Sequence, residues 1–530
     1  MRRCSQALHQ TDRPGREGTA KVRSGKQNMN HYAEEVPGEV TQVDVLIIGA
    51  GISGIGAAHH LRAQLPEKDF LILEAKNSYG GTWDTHRYPG VRSDSDLYTF
   101  GYRFKPWVGP PVAGRSEILR YLEEAIEEGG LADRILYGHR VQTCRWSSRD
   151  SRWLIEAVRN GDDRKVKFAA NFLWMCQGYY DHDNPYLPDW PAMSDFAGRI
   201  VHPQQWDPEL DYSGKRVVVI GSGATAATLV PALAEKAAKV TMLQRSPTYF
   251  YCAPNRIDLA DRLREIGIDE PTIHRVVRAE VLYDQDLLAR RAVEEPEVLF
   301  EELKAAIREY AGEDFEFEPH FVPRYRVWQQ RLAYCPDGDL FQAFASGRAN
   351  VVTDEIDHFV PSGIVTKSGE ELEADIVVAA TGFRLVMMGK IAFEVDGRPV
   401  DWHETVNYRG MMFTGVPNLV WVMGYFRASW TLRVDLVADF VCKLLAEMDR
   451  RGAGKVEVAL REEDRDMSLL PWIDGENFNP GYIVRGLAEM PVRGDKPEWM
   501  HNQDYWRERD ELPQIDLSGA EFVYQSGRTG

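Results

Sequence analysis

Val43-Asp-Val-Leu-Ile-Ile-Gly49-Ala-Gly51-Ile-Ser-Gly54 decides the fold. The apolar run to Ile48 reads as a buried strand, and the stretch after Gly54 to about Leu65 reads as a helix. A strand, a glycine turn and a helix in that order are the context the G-x-G-x-x-G motif requires. The first glycine makes the turn, the second lets backbone approach a pyrophosphate, and the third lets the helix pack on the strand. A helix N-terminus behind such a turn offers free N–H groups to phosphate. A second strand, Phe70–Leu73, ends in Glu74, twenty residues beyond Gly54, where a carboxylate takes the hydroxyls of an adenosine ribose.

The pattern repeats further along. Arg216–Ile220 is an apolar strand entering Gly221-Ser-Gly223-Ala-Thr225-Ala226, followed by a helix to about Ala238 and a strand Lys239–Leu243. Ala226 stands where the first unit has its third glycine. The second strand runs into Gln244-Arg245-Ser246, where the first unit has Glu74. Loss of the carboxylate removes repulsion toward a 2′-phosphate, and Arg245 supplies a planar donor fork for it. The two units together read as an FAD-type site followed by an NADPH site. The fold class expected is α/β, with two Rossmann-like dinucleotide-binding domains and a helical insertion.

Between the units lies Gly80-Gly81-Thr82-Trp83-Asp-Thr-His-Arg-Tyr88-Pro-Gly-Val-Arg-Ser-Asp94, whose glycines let backbone run close to a flat ligand and whose Trp83 and Tyr88 suit ring packing. Just ahead of the second unit comes Phe196-Ala-Gly198-Arg-Ile-Val-His202-Pro-Gln-Gln-Trp206-Asp207. A histidine in such a polar linker is ordinarily structural, and Asp94 on spacing alone caps a turn. Residues 255–320 have helical periodicity (Leu299, Phe300, Leu303, Ile307) and read as an insertion that caps a substrate pocket. A buried strand from Ile376 enters Ala380-Thr381-Gly382, where the chain crosses back to the first domain. Helix Trp430–Met448 follows a further strand and aims its N-terminus at the first ligand. The expected domains are an unordered extension (1–41), a first FAD part (42–185), an NADP domain (186–375), a second FAD part (376–500) and a C-terminal tail (501–530).

Composition narrows the function. The chain has 530 residues, enough for two or three domains. Its net charge of −18 argues against nucleic acid or an anionic membrane as the main partner. Six scattered cysteines without C-x-x-C spacing predict reduced thiols in a cytoplasmic protein and no metal site. No apolar run reaches the roughly 18 residues of a transmembrane span. The same spacing removes the disulfide reductases, which need a cysteine pair soon after the first unit, since Cys4 and Cys144 have no cysteine between them. A non-catalytic NADPH-sensing flavoprotein stays open on these residues.

F-x-G-x-x-x-H-x-x-x-W-D over Phe196–Asp207 and G-G-x-W-x-x-x-x-Y-P-G-x-x-x-D over Gly80–Asp94 resemble the signatures of type I Baeyer–Villiger flavin monooxygenases, at every fixed position. Stretches such as Gly221–Arg245 and Trp328–Leu340 look most like the prodrug-activating, ethionamide-type branch. The resemblance spans about residues 43 to 510. It implies bound FAD, NADPH as hydride donor, and O2 captured as a C4a-peroxyflavin that inserts one oxygen atom beside a ketone carbonyl. Products would be esters or lactones, with sulfoxidation of thioethers as a side activity. It places the catalytic arginine on Arg331 and its carboxylate partner on Asp94, and makes His202 a conformational residue. Gln330 departs from the family lysine before the arginine, which puts more of the phosphate recognition on Arg245 and Ser246. The C-terminal tryptophan that some members use has no good counterpart, Trp499 matching poorly. The alternative is a flavin-containing N- or S-monooxygenase of amines or thioethers, against which Trp206-Asp207 speaks. Substrate identity and oligomeric state have no readable code.

Overall fold

The computed structural model describes residues 40–476 and 478–527. The extension expected to be unordered lies outside them except for Val40 and Thr41, which already belong to the first strand, Val40–Ile48. That strand is the centre of a mixed sheet, nine-stranded among the described residues. Phe70–Leu73 pairs parallel on one side of it, with Val45 opposite Phe70. Arg164–Met175 pairs parallel on the other, with Val45 opposite Phe172. Val45, Leu46 and Ile47 are fully buried, as strands covered on both faces must be.

Helix Ile52–Gln64 covers one face. It is built from small residues because another helix crosses it closely. A Cβ on Gly56 would stand 2.9 Å from the Tyr102 ring and 3.1 Å from Val434, on helix Trp430–Arg451. His60 Nε2 and Asp435 Oδ1 meet at 2.8 Å across this buried contact.

The second sheet is all parallel, in the order Ala349–Thr353, Lys239–Gln244, Arg216–Ile220, Ile376–Ala379, Arg199–Val201. Ile376–Ala379 therefore completes the second unit, and the expected boundary at 376 moves past Ala379. The reason is register: Val378 lies between Val219 and Val201, buried on both faces. The helix after Gly223 ends at Leu233, short of the expected Ala238, with Pro231 inside its last turn.

The insertion is helical as expected, over Asp258–Glu265, Glu270–Glu294 and Pro296–Ala311. It leaves the second unit in sequence; its long helix docks on the first, while Pro296–Ala311 packs back on the second, with Ile307 in that unit's core. Arg278 donates to the Tyr98, Thr99 and Gly101 carbonyls (2.8, 3.1 and 3.0 Å), and Trp107 N–H donates to His274 Nδ1 (3.1 Å).

Residues 501–527 are not a tail. Tyr505–Glu511 is helical, and Phe522–Ser526 pairs antiparallel with Ala453–Val458. Glu508 is the anchor: fully buried, it accepts from Arg433 Nε at 2.8 Å and from the Tyr425 hydroxyl at 2.5 Å. A buried carboxylate left without such partners would be strongly destabilising.

Candidate active site

Both glycine turns open on one cavity of about 1470 Å³. The helices behind them begin at Gly51 and Gly223. Neither has a side-chain cap, and neither carries an acid in its first turn. Their first N–H groups are free for an anion, which is the state a phosphate site needs. In the first turn a Cβ at Gly54 would stand 1.8 Å from the Gly49 carbonyl oxygen, so only glycine fits. The Glu74 carboxylate is buried and lines the cavity. It accepts Ala50 N–H at 2.7 Å and Lys76 N–H at 2.9 Å. Burial pushes its carboxyl above the usual range, and those two N–H groups oppose the shift. Gly81, Thr82 and Trp83 also line the cavity. These residues fit an adenine dinucleotide.

Tyr88 does more than wall a ring site. It reaches across and packs in the core of the second unit with Val217 and Leu229. Burial pushes its phenol up to about 12, with Thr225 pulling the other way. Arg92, two residues before Asp94, makes a bidentate pair with Asp339 (2.5 and 3.1 Å), so the loop is fastened to the second unit twice.

Asp94 and Arg331, 237 residues apart, meet in the cavity: Arg331 Nη1 donates to Asp94 Oδ2 at 2.8 Å. Each is about one-third exposed, into the cavity they line. Burial works against the guanidinium charge, but Asp94 and the electron-rich hydroxyls of Tyr482, Tyr180 and Tyr179 outweigh it, and the arginine pKa is held above its usual value. The three tyrosines line the same cavity. Tyr179 and Tyr180 share a hydroxyl–hydroxyl hydrogen bond, and Tyr179 stacks on Trp430 at 5.3 Å and 7°. Tyrosines in a strand-exit loop carry no motif, so sequence reasoning missed them.

At the second unit Gly223 and Thr225 line the cavity, Ala226 packs in the core, and a Cβ on Gly221 would stand 2.4 Å from the Ala380 carbonyl oxygen. Arg245 and Ser246 lie exposed outside it. Arg245 has company. Arg485 sits 3.7 Å and Arg384 5.7 Å from the centre of the Tyr186 ring. Burial, Arg384 and Arg245 push Arg485 below the usual arginine range. Arg384 and Arg245 both repel Arg485, and such a cluster of cations makes a place for a multiply charged anion. Arg384 comes from a loop and Arg485 from the short helix Gly481–Gly486, both far from Arg245 in sequence, which is why spacing did not reveal them.

None of Phe196, Gly198, His202, Trp206 and Asp207 lines the cavity. Phe196 packs on Phe359, and a Cβ on Gly198 would stand 2.4 Å from the Asp375 carbonyl oxygen. Trp206 is buried in the second unit's core. Asp207 pairs with Arg199 at 3.2 Å. His202 Nδ1 accepts Gln204 N–H at 3.1 Å, and Gln204 donates to the Asp181 and His182 carbonyls (2.7 and 2.8 Å). Burial lowers His202 to about 4, so it is neutral. The stretch grips the linker leaving the first unit, which fits a conformational role and not that of a base. Trp499 is fully buried and donates to Asp464 at 2.9 Å, away from the cavity.

Among the described residues no helix is long and apolar enough to cross a membrane, and no group of three or more His, Cys, Asp or Glu could hold a metal.

Comparisons with known proteins agree with this geometry. A flavin-binding monooxygenase-like family model matches residues 109–254, and an NAD(P)-binding Rossmann-like domain model matches 47–107. The FAD-containing monooxygenase EthA of Mycobacterium tuberculosis is 42% identical over 492 residues, covering 92% of this chain and 99% of its own. The probable FAD-binding monooxygenase AlmA of an Acinetobacter species is 42% identical over 477 residues, covering 89% and 94%. Among solved structures, an oxidized steroid monooxygenase bound to NADP superposes with a TM-score of 0.70 at 24% identity, over 92% of this chain and all of that one (100%). Cyclohexanone monooxygenase from a Rhodococcus species bound to NADP+ gives 0.69 at 21%, with the same coverage. At those identities the structures speak for the fold.

Proposed function

Because the chain belongs to the family of FAD-containing flavin monooxygenases, we propose that it is a Baeyer–Villiger enzyme, inserting one oxygen atom from O2 beside a ketone carbonyl at the expense of NADPH. The observation that carries this reading is the Arg331–Asp94 pair, set in the cavity onto which both nucleotide turns open.

FAD would be held by the turn at Gly49–Gly54, by Glu74 and by the loop Gly81–Trp83. NADPH would be held by the turn at Gly221–Ala226, with its 2′-phosphate among Arg245, Arg384 and Arg485. When bound, FAD would supply the redox chemistry, relaying electrons from NADPH to O2 so that one oxygen atom can reach the substrate. The chain's own residues set the conditions. Asp94 orients the Arg331 fork and keeps it charged, so a fixed cation faces the place where negative charge develops. Such a contribution is worth roughly 10²–10³ in rate. The uncapped N-terminus of helix Trp430–Arg451, at the cavity wall, adds a positive dipole end there. The aromatic rings of Tyr179, Tyr180, Phe383 and Trp430 keep water from the reacting atoms. The His202–Gln204 grip on the linker couples NADPH seating to closure of the two units. Five described cysteines are free and buried, which supports a reducing, cytoplasmic setting.

The test is a stoichiometry. Purified holoenzyme is given NADPH, 18O2 and a panel of linear, cyclic and aryl ketones beside matched thioethers. One labelled ester or lactone oxygen per NADPH is the expected result. Labelled sulfoxides with no ester from any ketone would sink the Baeyer–Villiger assignment and leave the heteroatom-oxidising reading.

A further inference from the structure

The cavity wall carries a further cation, Arg427, that the cofactor sites do not account for, and a second, Arg326, stands near it. Arg427 lies in the loop Gly424–Ser429 and lines the cavity beside Tyr425, Phe426 and Trp430. Arg326 lies in the segment that carries Arg331. Arg427 Nε and Arg326 Nη1 are both buried and both without a hydrogen-bond acceptor. The Arg427 guanidinium rests 5.9 Å from the centre of the Phe478 ring, and that ring stacks on Phe426 at 5.1 Å and 14°. Burial and the charge of Arg326 push Arg427 below the usual arginine range, while Asp474 and Asp504 act on it from a distance. Those two carboxylates are engaged elsewhere: Asp474 accepts Glu476 N–H at 3.0 Å, and Asp504 accepts Arg507 N–H at 3.1 Å at the start of its helix. Neither arginine makes a side-chain hydrogen bond or an ion pair with a described residue.

Arg433, six residues on, shows the structural alternative. It is fully buried, and it donates to Glu508 (2.8 and 3.2 Å), to the Met423 carbonyl (2.7 Å) and to the Arg409 carbonyl. An arginine kept for stability is saturated in this way, since an unpaired buried donor is costly. Two neighbouring guanidiniums left unsaturated, that of Arg427 at the cavity wall, await an anion from outside.

We propose that Arg427 and Arg326 form a subsite for a carboxylate carried by the substrate, so that the enzyme favours keto acids whose carbonyl is presented to Arg331 in the same cavity. The planar forks match a carboxylate. Phe426, backed by Phe478, and Tyr425 offer an apolar wall for the chain that joins carboxylate to ketone. The cofactor phosphates have their own donors at Gly51, Gly223 and Arg245. The identity of the reacting ketone rests on the function proposed above, whereas the carboxylate site does not.

The experiment compares a straight-chain keto acid with the ketone of equal length that lacks the carboxylate. Two readouts are taken on FAD-loaded enzyme: kcat/KM for oxygenated product, and the Kd of each compound without NADPH, from quenching of tryptophan and flavin fluorescence. The wild type should favour the acid in both. Arg427→Gln should cut the acid's kcat/KM roughly ten- to a hundredfold more than that of the neutral ketone, the worth of a hydrogen bond to a charged group. The acid's Kd should rise by a similar factor. Arg326→Gln, checked for retained FAD, should do the same and covers the case in which the first variant does not fold. Equal losses on both compounds would overturn the proposal, and so would a loss confined to the KM for NADPH, which would give these cations to the cofactor. Arg427-dependent binding of the acid with no ester from either compound would keep the subsite and remove the Baeyer–Villiger reading. Ester from both with no preference for the acid would do the reverse.

Discussion

The turn at Gly49 and the turn at Gly221 share a backbone plan and differ in their surroundings. In the first, the third position has no room: a Cβ on Gly54 would meet backbone oxygen at 1.8 Å. In the second, Ala226 sits there with its methyl fully buried. The acid after the first unit is buried and held by two N–H groups, whereas the arginine after the second is exposed among other arginines that repel it. One unit is tight and fixed, and suits a cofactor that stays. The other is open and ringed with exposed positive charge, and suits one that is exchanged at each turnover. Tight contacts give permanence, and long charged side chains give selectivity without it.

Swapping the third residues should break that contrast most visibly. Gly54→Ala should cost about 1–3 kcal/mol or more in stability from overpacking and leave a protein without flavin absorbance, while Ala226→Gly should cost about 1 kcal/mol and keep FAD. Equal losses in denaturant unfolding and in flavin content would erase the asymmetry. Next in size is Arg331→Ala. It should still bind FAD and oxidise NADPH, yet lose oxygenated product by roughly 10²–10³, with hydrogen peroxide released instead. Product at wild-type rates would show that the cation is not needed. Asp94→Asn should follow at about ten- to a hundredfold, because Arg331 loses the carboxylate that orients its fork and supports its charge.

The open unit is probed by smaller changes. Arg245→Ala should raise the KM for NADPH roughly tenfold and leave that for NADH alone, and Arg485→Ala should raise it a few-fold. Parallel rises for both nucleotides would dissolve the phosphate cluster. The seam between the units should show in pH. Burial lowers His86 to about 3 and His182 and His202 to about 4. In the unfolded chain these imidazoles take protons near pH ~6.5. Between those values the unfolded state binds more protons, so stability falls as pH drops from about 6.5 toward about 4. Denaturation midpoints across that range should fall less steeply in His202→Gln, and an unchanged slope would take His202 out of the seam.

The sequence announced both turns, Glu74 and Arg245, because each is local: a strand, a turn and a charge at fixed spacing. Asp94 and Arg331 were legible through their resemblance to a family, since nothing local joins two residues 237 positions apart. Tyr88 was read as a wall for a ring, and it also inserts into the other unit's core. Arg384, Arg485 and Arg427 stayed hidden among ordinary arginines, because their meaning lies in neighbours that are distant in sequence. The C-terminal stretch was set aside for want of a motif, although Glu508 holds a cavity-lining residue, Tyr425, in place.

That last attachment bears on how the molecule comes into being. Strands of the second unit run from Arg199 to Ala379, so its sheet can close while the ribosome is still at work. The loop Gly424–Ser429 cannot be set so early. Phe426 N–H donates to Gln503 Oε1 at 2.6 Å, and Tyr425 and Arg433 wait for Glu508. A nascent chain thus owns a nucleotide fold well before it owns a finished reaction chamber. The chamber wall is completed only by Gln503 and Glu508, and truncation near residue 500 should leave nucleotide folds with no completed wall.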